Sequence, residues 1–166
     1  MTNTTFGIEF SKELEAESAA TRKCLERIPV NLFDYKPHEK SMQLGYLALV
    51  VAEIPKWITH MVEKGDIDFA TFAHFKPTTT VELVNHFDEN LAAAKNALQN
   101  VSDEGLAEPF SLKMNGQVLF TSPKKDNIGS SINHLVHHRG QLTVYMRLND
   151  IPVPSIYGPS ADDKTF

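Results

Sequence analysis

The sequence INHLVHHRGQLTVYMRL, residues 132–148, has the apolar spacing of a long helix and carries three histidines within five positions. On a helical projection its apolar side chains share one arc, which we expect to face a core. A polar stripe runs beside that arc and continues toward the N-terminus; its members are Asn127, His134, His138, Gln141 and Tyr145. His134 and His138 are one turn apart, so their imidazoles can reach one shared metal ion.

Two other side chains of this segment have different predicted roles. His137 falls outside the stripe, and we expect it to lie in solvent or to hydrogen-bond to a neighbour. Arg139 falls within the apolar arc, where a guanidinium needs a carboxylate or carbonyl partner, so we expect it to join two helices. The spacing alone leaves a second interpretation open, in which the histidines belong to an ordinary polar flank of a surface helix.

Composition and charge narrow the class of protein. The chain has 166 residues and a formal net charge of −5, and its Lys and Arg residues are scattered along the sequence. The negative net charge and the absence of a basic cluster in the sequence argue against nucleic acid as a partner, because DNA binding depends on neutralising phosphates. No apolar run approaches the roughly 20 residues of a membrane span. The sequence begins without the pattern of a secretory signal, so we predict a cytoplasmic protein.

Cys24 is the one cysteine of the chain, which excludes an internal disulfide and a cysteine-rich zinc site. Within a predicted helix it is expected to be a buried apolar side chain rather than a catalytic thiol.

Four long helices are predicted. The first covers about residues 5–28, and the second runs from a cap at Ser41 to about residue 64, with a kink at Pro55 and a stop at Gly65. The third begins with the capping-box spacing of Thr79 and Glu82. The fourth begins with Pro123 at its first position and ends near residue 149.

Two further segments complete the prediction. Residues 110–122 contain two β-prone runs joined by Asn115-Gly116, the pattern of a tight hairpin. The C-terminal tail has a pattern that predicts packing on the body of the protein through Ile151, Val153, Ile156 and Tyr157. The predicted fold is therefore an all-α, four-helix bundle in a single domain, residues 1–166, with a small β-hairpin before the last helix.

Three stretches resemble the DinB family, in particular its YfiT-like and DinB-like proteins. They are HLVHHRGQLTVYMRLNDIPVPSIYGPSADD, ATRKCLERIPVNLFDYKPHEKSMQLGYLALVVAEIPKW and the hairpin FSLKMNGQVLFTSP, which together cover nearly the whole chain. The resemblance implies up-down-down-up helix connectivity, frequent homodimers, and a divalent metal, Zn or Ni, held by three histidines.

The implied metal site is incomplete in this sequence. The two histidines of the last helix correspond to His134 and His138, but Val50 stands where the second helix of the family provides the third. Glu53, one turn further along, is a possible third ligand or base. His60, His74 and His86 are further candidates. His60 points roughly 80° away from Val50 around the helix, and the sequence does not define how the segments that hold His74 and His86 approach the site.

Three functions follow as hypotheses. The first is a metal-dependent thiol S-transferase or hydrolase-like enzyme, in which the cation lowers the pKa of a thiol or of water. Asn127, Gln141 and Tyr145 would then orient the ligands or contact a small-molecule, possibly thiol, substrate. The second is a non-catalytic ligand-binding or interaction protein that has lost the metal. The third, DNA binding, is disfavoured by the charge.

Overall fold

The computed structural model describes residues 5–165 and shows a mostly helical protein with a small sheet. The predicted domain, residues 1–166, extends past the described residues at both ends. Within residues 5–165 the helices are α1 (Phe6–Leu25), α2 (Leu44–Glu63), α3 (Thr80–Asn100), the short α4 (Asp103–Ala107) and α5 (Lys124–Leu148). The strands are β1 (Asp66–Asp68), β2 (Pro109–Met114) and β3 (Gln117–Pro123).

The long helices pack around a shared apolar interior. The principal contacts join α2 to α3 and α5, and α1 to the same two helices. The interior has two clusters of buried side chains, one that includes Cys24, Phe87 and Met146 and one that includes Leu14, Ile54 and Leu135. Four predicted long helices are confirmed, whereas their up-down-down-up order stays a prediction. No helix in the described part of the chain has the length and apolarity needed to cross a bilayer.

The predicted start of α2 at Ser41 is wrong. The helix begins at Leu44 after Gln43, whose side chain makes no capping hydrogen bond. Instead, the backbone N–H groups of Leu44 and Gly45 donate to the carbonyl oxygens of Tyr35 and Phe33, each at 2.9 Å. The preceding loop therefore satisfies the free donors of the first turn, which makes a serine cap unnecessary.

The predicted end of α2 and the predicted start of α3 are confirmed. Gly65 has a φ of +74° and follows the end of α2, as predicted. The predicted capping box of α3 is present, with Thr79 accepting from the backbone of Glu82 and the Glu82 side chain accepting from the backbone of Thr79. By contrast, α1 ends at Leu25, three residues before the predicted boundary.

The predicted hairpin is confirmed and belongs to a larger sheet. Asn115 and Gly116 both have positive φ at the turn between β2 and β3, the geometry that favours this dipeptide. The sheet order is β1-β2-β3, and β1 pairs with β2 in parallel. The Asp68 carboxylate at the end of β1 accepts from the backbone N–H groups of Asn115 and Gly116, so it links this strand to the turn.

The C-terminal end of the chain also differs in detail from the prediction. Pro123 precedes α5 as its cap, one position before the predicted place. Ile151 is buried, and Val153 and Ile156 pack on the core as predicted. Tyr157 is instead 73% exposed. Its hydroxyl accepts from Arg139 and donates to Glu17, and the Arg139 guanidinium lies 5.3 Å from the centroid of its ring.

Candidate functional site

His134 and His138 face each other on α5. Their Nε2 atoms are 2.7 Å apart and their ring centroids are 4.4 Å apart. Both side chains are half-buried. The predicted pairing of these two imidazoles is therefore present, and the atoms that meet are the two nitrogens best placed to bind one shared proton or cation.

Gln141 orients His138. Its Oε1 lies 2.8 Å from Nδ1 of His138. An amide oxygen only accepts hydrogen bonds, so this contact requires a proton on Nδ1 of His138. In a neutral imidazole, Nε2 is then the nitrogen with a free lone pair. The proton between the two histidines is then donated by Nε2 of His134. A cation bound by both Nε2 atoms would take the place of that proton.

The surroundings of His134 favour its neutral form. Burial lowers the pKa of His134, and the neighbouring His138 and His137 lower it further. His137 itself is exposed, and its ring meets the edge of His138 at a centroid distance of 5.1 Å. A neutral imidazole is the form that binds a metal or accepts a hydrogen bond.

An apolar pocket opens beside His134. It has a volume of about 170 Å³ and is formed by residues from α2, the sheet, the β1–α3 loop and α5. Its apolar walls include Trp57, Met61, Phe69, Phe110 and Phe120, and the polar lining consists of Asn127, Ser130, Ser131 and His134. The combination of a concave apolar wall and a few polar groups, here all from α5, is typical of a small-molecule site.

Trp57 is the aromatic side chain next to the pair. Its ring centroid is 5.6 Å from that of His134 and 6.4 Å from that of Phe69. The indole Nε1 is buried and has no hydrogen-bond partner within residues 5–165. Sequence analysis does not single out Trp57, because helical spacing does not distinguish a core side chain from one that lines a pocket.

Glu53 lies in a separate cluster. Its carboxylate, 1% exposed, is 2.6 Å from Nδ1 of His74 and 3.3 Å from Nε2 of His86, and it accepts from the backbone N–H of Phe75 at 2.9 Å. Both carboxylate oxygens are thus engaged by α3 and the β1–α3 loop. The structure brings Glu53 together with His74 and His86, and it does not bring Glu53 to the His134–His138 pair.

The other predicted site residues are distributed around the pair. Asn127 lines the pocket, and its amide nitrogen donates to Ser122 and to the Pro123 carbonyl. The Tyr145 hydroxyl donates to the carbonyl oxygen of Met42, and its ring belongs to a core cluster. Gln141 is the one of these three that forms a hydrogen bond with a histidine of the pair within the described structure.

The side chains around the pair provide only some of the ligands that a divalent cation needs. His134 and His138 offer two converging nitrogens, and Gln141 provides the outer hydrogen bond that a ligating imidazole usually makes. Val50 is 7% exposed within an apolar cluster and has no donor atom in its side chain. Within residues 5–165, no group of three or more His, Cys, Asp or Glu side chains is arranged around one point where a metal could bind.

Arg139 joins α5 to α1, which confirms the prediction that it connects two helices. Its guanidinium is 1% exposed and pairs with the Glu17 carboxylate at 2.6 Å. It also donates to the Glu17 carbonyl oxygen and the Thr21 hydroxyl, each at 3.1 Å. Because Glu17 and Thr21 belong to α1, this network fixes α5 against α1 at the turn that carries His138.

Comparison with known proteins identifies relatives along almost the whole chain. The sequence model of the DinB family matches residues 1–165. The uncharacterised protein YrdA of Bacillus subtilis strain 168 is 28% identical over 157 residues, which cover 93% of this chain and 89% of YrdA.

Two solved structures have a similar fold. The DinB-like protein YjoA of Bacillus subtilis superposes with a TM-score of 0.71 at 17% identity, over 94% of this chain and 99% of YjoA. A DinB-like protein of Bacillus cereus ATCC 10987 superposes with a TM-score of 0.68 at 24% identity, over 89% of this chain and 95% of its own. With the family match extending over residues 1–165, the chain belongs to the DinB family.

Proposed function

We propose that this protein is a small-molecule-binding member of the DinB family in which His134 and His138 hold a divalent cation, Zn²⁺ or Ni²⁺, beside an apolar pocket. The observation that carries the proposal is the 2.7 Å approach of the two Nε2 atoms, together with the Gln141 hydrogen bond to Nδ1 of His138. The alternative for this helix is an ordinary polar surface flank. That alternative does not require the Gln141 side chain to orient the His138 ring.

The proposed activity is a thiol S-transfer or hydrolysis. When bound, the cation would lower the pKa of a thiol or of water so that a nucleophile exists near neutral pH. The residues of the chain have three tasks in this scheme. Gln141 keeps the proton of His138 on Nδ1, the apolar walls exclude water from the bound molecule, and Arg139 fixes α5 at the height of the pair.

Metal retention by matched variants tests the cation site. The untagged protein is loaded with Zn²⁺ or Ni²⁺, dialysed, and analysed for metal content. His138→Ala should lose the bound cation, whereas His137→Ala, which changes the exposed neighbour, should retain it. Equal metal content in the two variants, or no retained metal in the unaltered protein, would contradict the proposal.

A second candidate function has its own support. Val50 replaces the third histidine that the family resemblance implies, and both oxygens of Glu53 are engaged elsewhere. A protein with two remaining ligands fits a metal-free binding module, in which the histidines hydrogen-bond to a ligand directly. Absence of retained metal in the unaltered protein, combined with ligand binding that His138→Ala abolishes, would favour this function over the first.

We also propose that the protein is a cytoplasmic homodimer, as the family resemblance implies. Light scattering at micromolar concentration tests the assembly. A mass near 37 kDa, twice the 18.6 kDa of one chain, is the expected result. A mass near 18.6 kDa would contradict it.

A further inference from the structure

A groove of about 430 Å³ is lined by residues of α2, β1 and the β1–α3 loop, and we call it the α2–β1 groove. Among residues 5–165, only Ile67 lines both this groove and the pocket beside His134, so the two are distinct. Three basic side chains of α2 line the groove, namely Lys56, His60 and Lys64. Because they are four residues apart, successive turns of the helix direct them to the same side.

The Phe72 ring forms an apolar wall beside these basic groups and contacts two of them. The Lys56 ammonium lies over this ring, 4.6 Å from its centroid, and donates to the carbonyl oxygen of Ala73 at 2.8 Å. The His60 ring meets Phe72 edge-on at a centroid distance of 5.2 Å. A lysine ammonium has three N–H groups, so two of those on Lys56 remain for a ligand. The groove therefore combines an aromatic surface with positioned hydrogen-bond donors.

Two carboxylates also line the α2–β1 groove, and both have partners of their own. Asp66 pairs with the Lys113 ammonium at 2.5 Å. Asp68 accepts from three backbone N–H groups, which belong to Ala70, Asn115 and Gly116. By contrast, the lysines that form ion pairs within residues 5–165 include neither Lys56 nor Lys64. The carboxylates are thus stabilised without the α2 lysines, whose charges stay available to a ligand.

The protonation of His60 reflects the sign of the charge at this groove. Burial lowers the pKa of the His60 imidazole, and the charges of Lys56 and Lys64 lower it further. Glu63 and Asp66 raise this pKa, but each of them has a smaller effect than either lysine. The balance of charge around His60 is therefore positive, which is the environment that an anion favours.

We infer that the α2–β1 groove binds the oxyanion group of a small organic molecule. Lys56, His60 and Lys64 hold the anion, and Phe72 contacts the organic part of the ligand. A lysine ammonium binds a phosphate or a carboxylate as a compact point charge, and the volume of the groove leaves room for more than the anion alone. This site goes beyond the proposed function, since none of its binding groups is assigned to the cation site.

Titration with three probes tests the chemistry of the groove. Phenyl phosphate has an oxyanion and a ring, inorganic phosphate has the anion without the ring, and benzyl alcohol has the ring without the charge. The full-length protein is kept in EDTA, so that neither phosphate probe can bind a cation at the His134–His138 pair. The measurement is the ring-proton NMR signal of His60, which is identified by its absence from the spectrum of His60→Gln.

Phenyl phosphate should shift the His60 signal to saturation and raise the pKa of His60, because bound negative charge favours the protonated imidazole. Inorganic phosphate should bind roughly three- to tenfold more weakly, because it makes no aromatic contact with Phe72. Benzyl alcohol should bind more than about tenfold more weakly, because it offers no charge to the lysines. No saturable shift with phenyl phosphate, an unchanged His60 pKa, or equal affinity for either other probe would overturn the inference.

Charge-neutralising substitutions locate the bound anion. Lys56→Gln and Lys64→Gln should each weaken phenyl phosphate binding by at least about threefold, since each removes one charged donor from the groove. Lys36→Gln is the matched control, because Lys36 is exposed in the segment before α2 and does not line the groove. It removes the same charge and should leave the affinity within about twofold. Equal effects of the three substitutions would mean that only the net charge matters and would contradict the inference.

Discussion

Nδ1 of His74 lies 2.6 Å from the buried carboxylate of Glu53 and joins the β1–α3 loop to α2. The same carboxylate accepts from the Phe75 backbone, so two successive residues of the loop are attached to one side chain. The loop continues in the other direction to Phe69, which forms part of the pocket wall. Glu53 therefore holds the loop that carries Phe69, and within residues 5–165 it forms no hydrogen bond to the histidine pair.

Glu53→Gln should destabilise the protein without changing its metal content. The amide has one acceptor oxygen where the carboxylate has two, so the contact with His74 loses its charged acceptor, at a cost of about 1–3 kcal/mol in the free energy of unfolding. Urea unfolding measures this change. Glu63→Gln, at an exposed position of α2, is the control and should change stability by less than about 0.5 kcal/mol. Loss of metal in Glu53→Gln would show that Glu53 is a ligand after all.

Val50→His should restore a third ligand. Addition of a third protein nitrogen should strengthen Zn²⁺ or Ni²⁺ binding by at least about tenfold, because catalytic sites of this kind usually have three protein ligands. In the metal-free protein, burial of the imidazole should lower the free energy of unfolding by about 1–3 kcal/mol. Calorimetric titration measures the affinity.

Leu49→His is the matched control for that substitution. Leu49 and Val50 are adjacent on α2 and are each 7% exposed, so the two variants bury an imidazole to the same degree. Because adjacent residues point about 100° apart around a helix, Leu49→His should not strengthen metal binding. A similar gain in both variants would mean that position 50 has no special relation to the histidine pair.

Arg139→Ala should be strongly destabilising. The substitution leaves the Glu17 carboxylate, 15% exposed, without its buried partner, which typically costs about 3–5 kcal/mol. Arg147→Ala removes an ion pair with Asp162 in which the arginine is 50% exposed, and it should cost no more than about 1 kcal/mol. Thermal and urea unfolding of the two variants compare them directly. Equal stability losses would argue that the Arg139 network does not hold α1 to α5.

Cys24 should be unreactive in the folded protein. Burial raises the pKa of its thiol from 9.0 to about 11, so almost no thiolate exists at pH 8. A thiol reagent should label no cysteine in the native protein and one per chain in guanidinium chloride. Because the folded state holds this proton more tightly than the unfolded state, its stabilising contribution is complete below pH 9 and is lost as the pH rises through about 11.

Cys24→Ala provides the control for this pH dependence. The variant should lose less stability than the unaltered protein between pH 9 and pH 11, since it has no thiol to ionise. Rapid labelling of the native protein at pH 8 would contradict the assigned burial of Cys24.

The amino-acid sequence by itself determined the features that depend on neighbours along the chain. The capping box of α3, the Asn115-Gly116 turn and the one-turn spacing of His134 and His138 are local, because each is set by residues no more than four positions apart. The core-facing position of Arg139 also followed from helical periodicity, although its partner on α1 did not.

Only the tertiary structure decided which distant segments meet. β1 has three residues, too few to show an alternating pattern, and it forms only because β2 provides its hydrogen-bond partners. Glu53 lies one turn after Val50 on α2, where helical spacing makes it a possible third ligand. In the structure, its carboxylate instead contacts His74 of the β1–α3 loop and His86 of α3. The pocket beside His134 is lined by side chains from α2, the sheet, the β1–α3 loop and α5. Such contacts depend on how the elements pack in space, which periodicity within a single element does not specify.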